Sequence, residues 1–300
     1  MRMHSGLAAP HAAPIAAQEA APALDPGAWF EAATSFGPVR LCAFIGAPVR
    51  HAADAALALH RCEALLGPLQ QWSAQALDWR WLPAAGQRVS GASHGCARWQ
   101  RRGEGSAGPT GAMGLLSMPW PLLRSLPPPP AELAASLRWP AQPVVLSVAQ
   151  FHLAEDELAQ VEPGGAIVLA DSLAAPWLGR LRAATEPVQP GLGAPVALAP
   201  PSVPRLVRAR PGGGPVHGER SDSRVACEVR LAMPHTLPGD RLTGWRDDEP
   251  LPEPGPQASL WCGFDPREPA LCLAEGRLMP WGDGWALAIH TLRRFGERAD

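Results

Sequence analysis

A short pattern, in which an apolar residue is followed by a Pro-Gly turn and then by a second apolar stretch, occurs twice in this chain of 300 residues. The first copy runs from Val161 to Ile167 and the second from Leu237 to Leu242. Proline fixes φ and glycine permits positive φ, so the pair ends one strand and allows the next to begin. The repeat predicts two short β-rich modules.

Two further pairs of similar segments follow the Pro-Gly turns. Trp177-Leu-Gly-Arg-Leu181 is similar to Glu275-Gly-Arg-Leu278, and Pro195 to Ala199 is similar to Trp285 to Ile289. A module of about 70 residues has too small an interior to bury both faces of its sheet. We therefore expect each module to pair with another copy.

Stretches rich in proline divide the chain into predicted parts. These are an Ala/Pro-rich arm that we expect to be disordered (1–26), an α+β domain (27–141), a first β-rich module (142–200), a Pro/Gly/Arg linker (201–222) and a second β-rich module (223–300). The predicted fold is thus an α+β N-terminal domain followed by two small β-rich modules.

Apolar spacing predicts where the main elements lie. Ala52 to Leu66 has the pattern of an amphipathic helix, which Gly67 and Pro68 should end. Further helices are predicted at 131–138 and 154–160. Strands are predicted at 40–49, 77–81, 112–118, 143–148, 166–169, 225–231, 258–262, 270–273 and 285–289.

Charge and composition exclude several classes of function. All 26 basic residues are arginine, so a lysine Schiff base and a Walker-type phosphate loop are impossible. The net charge of −2 gives no global basic field for nucleic acid, and no apolar run approaches the ~18 residues of a membrane span. We expect a cytoplasmic protein that binds no nucleic acid and does not insert into a membrane.

A nucleophile-elbow pattern, G-x-S-x-G, occurs at Gly91-Ala-Ser93-His-Gly95. An elbow needs a buried apolar strand before the serine and a helix after it, whereas the flanking residues are small and polar. We therefore favour a loop. A serine hydrolase that uses Ser93 remains the alternative function.

Two His-x-Cys pairs, His60 with Cys62 and His94 with Cys96, have ligand types that bind zinc. The first pair falls on the predicted helix at i and i+2, so its side chains point apart. All six cysteines are scattered, and we expect most of them to be small buried side chains in a reducing compartment. We predict no metal, no cofactor and no catalytic residues.

Arginines are frequent in and beside the predicted linker, at Arg205, Arg208, Arg210, Arg220, Arg224 and Arg230. Such a segment can bind phosphate chains, but no aromatic residue lies between them to stack on bases. A solvated linker is the favoured interpretation, and a nucleic-acid binder is a third possible function.

The second module resembles the surface presentation of antigens (SPOA) module, which flagellar motor switch proteins share. The resemblance is carried by Val225–Leu231, Leu237–Asp240, Ala258–Trp261, Glu275–Leu278 and Gly284–Ile289. Two tandem copies behind a variable N-terminal domain resemble the cytoplasmic-ring proteins of type III secretion systems, the YscQ/HrcQ family. The first copy departs from the pattern in having Gly165 where the second has Asp240.

That resemblance implies a non-catalytic scaffold whose modules form intertwined, β-barrel-like dimers within a homo-oligomer. It implies a sorting platform that is cytoplasmic and peripheral to the inner membrane. The implied partners are stator and adaptor proteins of the export ATPase and chaperone–substrate complexes. The expected dimer or partner interface comprises Val225, Cys227, Val229, Leu237, Pro238, Gly239, Asp240, Leu260, Leu273, Leu278, Trp285, Leu287 and Ile289.

Overall fold

A computed structural model describes residues 27–44, 49–82, 93–100, 113–186, 188, 193–199, 203–208, 224–263 and 270–293. These residues are mostly β, with few helices and two large antiparallel sheets. The expectation of a β-rich protein is confirmed. The predicted arm at 1–26 lies outside the described residues.

The first sheet belongs to the N-terminal domain. Its strands, in the order β3-β1-β2-β5-β4-β6, are β1 (Gly27–Ala32), β2 (Val39–Phe44), β3 (Arg80–Trp81), β4 (His94–Gln100), β5 (Met113–Pro119) and β6 (Leu137–Arg138). The helices are α1 (Ala52–Arg61), α2 (Glu63–Ser73), α3 (Trp120–Ser125) and α4 (Ala131–Ser136). The predicted mixture of helix and strand in this region is therefore observed.

The helix predicted at 52–66 is wrong at its end. The chain breaks only briefly at Cys62 and then forms α2, which contains both Gly67 and Pro68. Leu65, Leu69 and Trp72 of α2 are buried. Packing of this apolar face outweighs the local preference of glycine and proline to end a helix.

Some strands of the N-terminal domain are shorter in the structure than the sequence predicts. The strand expected at 77–81 is only Arg80–Trp81, and the buried Leu77 lies in the non-strand segment before it. The strand expected at 40–49 is Val39–Phe44, and residues 45–48 lie outside the description. The strand expected at 112–118 is confirmed as Met113–Pro119.

The second sheet extends from residue 144 to residue 292. Its strands are β8 (Val144–Ala154), β9 (Ala166–Leu169), β10 (Trp177–Ala183), β11 (Ala194–Leu198), β12 (Arg205–Leu206), β13 (Arg224–Ala232), β15 (Glu249–Pro250), β16 (Gln257–Gly263), β17 (Leu271–Trp281) and β18 (Gly284–Leu292). Helix α5 (Glu155–Ala159) and two 3-10 helices (Ala170–Leu173 and Gly239–Leu242) connect strands, while β7 (Ala141–Gln142) pairs separately with β14 (Leu237–Pro238).

Strands of the two predicted modules interleave in this sheet, whose order is β15-β12-β11-β10-β8-β13-β16-β17-β18-β9. β8 of the first module lies beside β13 of the second, and β9 lies beside β18. The predicted linker also contributes a strand, β12, whose Leu206 is fully buried, so this part of 201–222 is not a solvated spacer. The two modules therefore share one sheet.

The large sheet curls so that distant strands meet. Trp177 on β10 stacks on Trp285 on β18 with ring centroids 6.2 Å apart, although four strands separate β10 from β18 in the sheet order. The 3-10 helix Ala170–Leu173 also contacts β10 and β18. No helix among the described residues is long and apolar enough to cross a membrane.

Candidate functional site at the module interface

The first part of the module interface is formed by β8 and β13. Val225, Cys227 and Val229 on β13 lie opposite Leu153, Phe151 and Ala149 on β8. The three β13 side chains are at most 7% exposed. The apolar face predicted for this strand is therefore covered by the same chain.

The second part of the interface is formed by β9 and β18. Leu287 is fully buried and lies opposite Ile167. Ile289 is also buried, and its backbone N–H donates to the carbonyl of Gly165 at 2.9 Å. Only β18 pairs with β9 in the described sheet, so the first module supplies an outer strand to the second.

The predicted Leu-Pro-Gly-Asp turn lies at a third contact. Leu237 and Pro238 form β14, and the following residues form a 3-10 helix rather than a simple turn. The N–H of Gly239 donates to the carbonyl of Pro140 at 3.2 Å. A Cβ at Gly239 would lie 3.1 Å from the Gln142 amide nitrogen, so a larger residue here would require the Gln142 side chain to move by a few tenths of an ångström.

The other predicted interface residues lie within the second module. Leu260 is buried, and Leu273 and Leu278 pack against the core from β17. Asp240 forms an ion pair with Arg246. These side chains support the module from inside, and none of them lies on a strand that pairs with the first module in the described sheet.

The same physical reason requires glycine at both positions of the repeated Gly-Arg-Leu pattern. A Cβ at Gly179 of β10 would lie 2.6 Å from the Ser147 carbonyl oxygen. A Cβ at Gly276 of β17 would lie 1.8 Å from the Ala288 carbonyl oxygen. In both modules the neighbouring backbone approaches too closely for a side chain, which explains why the pattern has glycine twice.

Buried charged side chains also connect the two modules, and the apolar sequence pattern does not predict these contacts. Glu228 on β13 is fully buried and accepts hydrogen bonds from Arg182 on β10, with Nε–Oε1 at 2.8 Å, and from Arg230, with Nε–Oε2 at 2.6 Å. Arg182 comes from the first module and is also fully buried. We call Arg182, Glu228 and Arg230 the charge triad.

Protonation of the charge triad is set by opposing effects. Burial alone would raise the pKa of Glu228, but the charges and hydrogen bonds of Arg182 and Arg230 outweigh it and hold that pKa below its usual value. Burial lowers the pKa of Arg230, although Glu228 opposes this shift. The guanidinium of Arg230 also lies 4.4 Å from the ring centroid of Trp261. Glu228 is therefore ionised at neutral pH.

A second ion pair connects the N-terminal domain to the modules. Arg124 of α3 donates to both carboxylate oxygens of Glu186, at 2.8 and 3.0 Å, and to the carbonyl of Leu242 at 3.0 Å. The Glu186 backbone carbonyl accepts in turn from Arg182 at 3.0 Å. A continuous polar path therefore runs from α3 to the charge triad.

Tryptophans complete this interdomain contact. The ring of Trp245 makes edge contacts with those of Trp72 and Trp139, with centroids 5.4 and 6.1 Å apart. The indole N–H of Trp245 donates to the carbonyl of Leu123 at 3.1 Å. The N-terminal domain thus packs directly on the segment that follows the second Pro-Gly turn.

The alternative catalytic site has a partial geometry. Ser93 Oγ lies 2.8 Å from His94 Nδ1, and His94 Nε2 lies 3.1 Å from the carbonyl of Pro38. Burial lowers the pKa of His94 despite the opposing effect of its hydrogen bond to the Pro38 carbonyl. However, strand β4 follows Ser93 directly, so the strand-to-helix context of a nucleophile elbow is not formed. Gly91 and Ala92 lie outside the described residues.

The zinc-type residues and the arginines are not brought together. His60 contacts Glu63, and Cys62 is buried with its thiol directed at the Ala58 carbonyl. The described residues hold no group of three His, Cys, Asp or Glu side chains suited to a metal ion. Of the arginines, Arg205 pairs with Asp248 and Arg230 is buried, while Arg210 and Arg220 lie outside the description.

Sequence reasoning missed the residues of the polar path: Arg124, Arg182, Glu186 and Glu228. The available signal was a charged residue, Glu228, within a mostly apolar strand. Comparison with models of protein families, with curated proteins and with solved structures finds no match to this chain. The site is therefore interpreted from its own geometry and from the sequence pattern.

Proposed function

We propose that this protein is a non-catalytic structural component of a type III secretion apparatus. In this role it forms part of the cytoplasmic ring, or sorting platform, at the base of the apparatus. It docks the stator and adaptor proteins of the export ATPase and receives chaperone-bound substrates. The family likeness comes from the SPOA-like pattern of the second module and its repetition in the first.

The observation that carries the proposal is the interleaving of the two modules. β8 pairs with β13 and β9 pairs with β18, so each module completes the sheet of the other. Such mutual completion is the arrangement that two SPOA modules are expected to adopt. It supports a protein that acts through binding surfaces on a fixed frame.

The buried polar path supports a scaffold role in a second way. It connects α3, β10 and β13 through Arg124, Glu186, Arg182 and Glu228. Buried ion pairs contribute little net stability compared with apolar packing, but they penalise arrangements in which a charge loses its partner. The path therefore specifies how the three parts fit together.

Co-purification tests this function. The tagged full-length chain is expressed in cells that carry a type III export ATPase and its stator, and the purified material is probed for the stator. We expect stoichiometric recovery of the stator, and loss of substrate secretion when the gene is deleted. Normal secretion in the deletion strain, without recovery of the stator, would contradict the proposal.

Acyl transfer at Ser93 is the second candidate function, favoured by the hydrogen bond from Ser93 to His94. In that reaction His94 would accept the Ser93 hydroxyl proton as the oxygen attacks an ester carbonyl. A fluorophosphonate probe tests this directly. Covalent labelling that is lost in Ser93→Ala would favour a hydrolase, and the scaffold proposal predicts that neither chain is labelled.

A further inference from the structure

Two cysteine thiols meet inside the second module. Cys227 on β13 lies directly opposite Cys262 on β16, and their sulfur atoms are 3.2 Å apart. Both side chains are at most 1% exposed. Cys227 lies on the strand that also pairs with β8 of the first module.

Strand register makes this pair suitable for a disulfide. Directly opposed residues in antiparallel strands have Cα atoms about 4.5 to 5.5 Å apart, which lies within the range that a disulfide spans. Bond formation therefore needs mainly side-chain rotation and a small approach of the two sulfurs. No change in the pairing of β13 with β16 is required.

The other cysteines have a different environment. Burial raises the pKa of Cys42 and of Cys62 to about 12, and it also raises the pKa of Cys96 and Cys272. Cys262 differs because a hydrogen bond from Cys227 lowers its pKa, although burial opposes the shift. The two sulfurs therefore share a hydrogen bond in which either thiol can be the donor.

We propose that Cys227 and Cys262 form a reversible, redox-sensitive dithiol whose disulfide clamps β13 to β16. With hydrogen peroxide as oxidant, the Cys262 thiolate attacks one peroxide oxygen, releases hydroxide and becomes a sulfenic acid. The Cys227 sulfur then attacks the sulfenic sulfur, the S–S bond forms, and the oxygen leaves as water. In total, two thiols lose two electrons and two protons, and one peroxide becomes two waters.

The clamp would act on the element that connects the modules. β13 pairs with β8 on one side and with β16 on the other. A covalent link between positions 35 residues apart restricts the unfolded chain and so stabilises the folded sheet. The inference is independent of the secretion role, because it rests on the two sulfurs and their strand register alone.

Peroxide titration of the reduced full-length chain tests the proposal. The chain is treated in native buffer, quenched, unfolded, and its free thiols are counted and mapped by non-reducing peptide mass spectrometry. We expect four of the six thiols to remain, with one crosslink between Cys227 and Cys262 that dithiothreitol reverses. The oxidised chain should melt about 5 °C or more above the reduced chain.

Matched variants complete the test. Cys227→Ala and Cys262→Ala should abolish the crosslink and the melting shift, whereas Cys272→Ala on the neighbouring strand should retain both. If an alanine variant fails to fold, peptide mapping of the unaltered chain still decides. Retention of all six thiols in native buffer, or a crosslink between other cysteines, would overturn the proposal.

Discussion

The two sheets of this protein reach a closed core by different routes. The described strands of the N-terminal sheet come from residues 27–138, and helices such as α2 and α3 bury their apolar faces in the same domain. The large sheet instead joins a block of first-module strands to a block of second-module strands and places β9 of the first module beside β18, so that neither segment contains all the neighbours its strands need. The N-terminal strands therefore pair only among themselves, the module strands pair across the module boundary, and one apolar core joins the two sheets.

The two regions also differ in how they use charge. The core of the N-terminal sheet is almost entirely apolar, whereas the large sheet buries Arg182, Glu228 and Arg230. Apolar side chains tolerate small shifts between strands, but a buried carboxylate needs its partners at fixed positions. The buried charges therefore fix the alignment of the strands in the large sheet. Loss of any one of these charges should in turn destabilise the sheet.

The largest effect should come from Leu287→Asp. An unpaired carboxylate would replace a fully buried side chain opposite Ile167 and destabilise the large sheet by about 4 kcal/mol or more. In chemical denaturation followed by circular dichroism, the β signal should be lost at a lower denaturant concentration than in the unaltered chain. Val168→Asp is the control, because Val168 is 51% exposed on the neighbouring outer strand β9, and an equal effect of both changes would contradict the strand exchange.

Substitution of the central carboxylate should have the next largest effect. Glu228→Gln leaves two buried guanidinium groups without their anion, and we expect a loss of about 3 kcal/mol in the free energy of unfolding. The matched control is Glu275→Gln, whose partner Arg293 is 40% exposed, and it should cost less than about 1 kcal/mol. Equal costs, measured by urea denaturation, would show that the charge triad has no special role.

Loss of the interdomain ion pair should be milder. Arg124→Met removes the bidentate contact to Glu186 and should cost about 1 to 3 kcal/mol, separating the thermal transitions of the N-terminal sheet and the large sheet. Arg40→Met breaks the Arg40–Glu31 pair inside the N-terminal sheet and should leave the transitions coupled. Differential scanning calorimetry distinguishes the two results. A single unchanged transition in Arg124→Met would contradict the coupling.

The smallest effect concerns pH. Glu228 has a folded-state pKa below the 4.5 of a free glutamate, so it binds a proton more weakly in the folded than in the unfolded chain. Its contribution is therefore complete well above pH 4.5 and is lost as the pH falls through the folded-state pKa. The stability difference between the native chain and Glu228→Gln should shrink between pH 6 and pH 3. A difference that stays constant or grows would be the opposite result.

Strand positions could be predicted from sequence where one face is apolar. Alternation correctly placed β13, the apolar run at 166–169 placed β9, and the strand predicted at 258–262 is observed as β16. Of the predicted interface residues, those on β13 and β18 lie on strands that pair with the first module, and Leu237 on β14 lies opposite Gln142. The apolar pattern was sufficient here because burial of a sheet face imposes a period of two.

The rest depends on contacts between distant positions. Glu228 alternates with apolar neighbours, a pattern that is typical of a solvated face, but β13 is a central strand covered on both faces. Its partner Arg182 lies 46 positions away, and no local pattern indicates such a pair. Likewise, α2 continues through Pro68 because its buried face packs on the core. Long-range packing decided each of these features.

Crosslinking within one chain tests the central claim, that the two modules build a single sheet. Ile167→Cys combined with Leu287→Cys should form a disulfide inside the monomer, because these positions are directly opposed on β9 and β18. Val168→Cys with Leu287→Cys should not crosslink, because the side chains point to opposite faces. Peptide mapping of the monomer should identify the first link at every protein concentration, whereas a link found only between two chains would contradict the account.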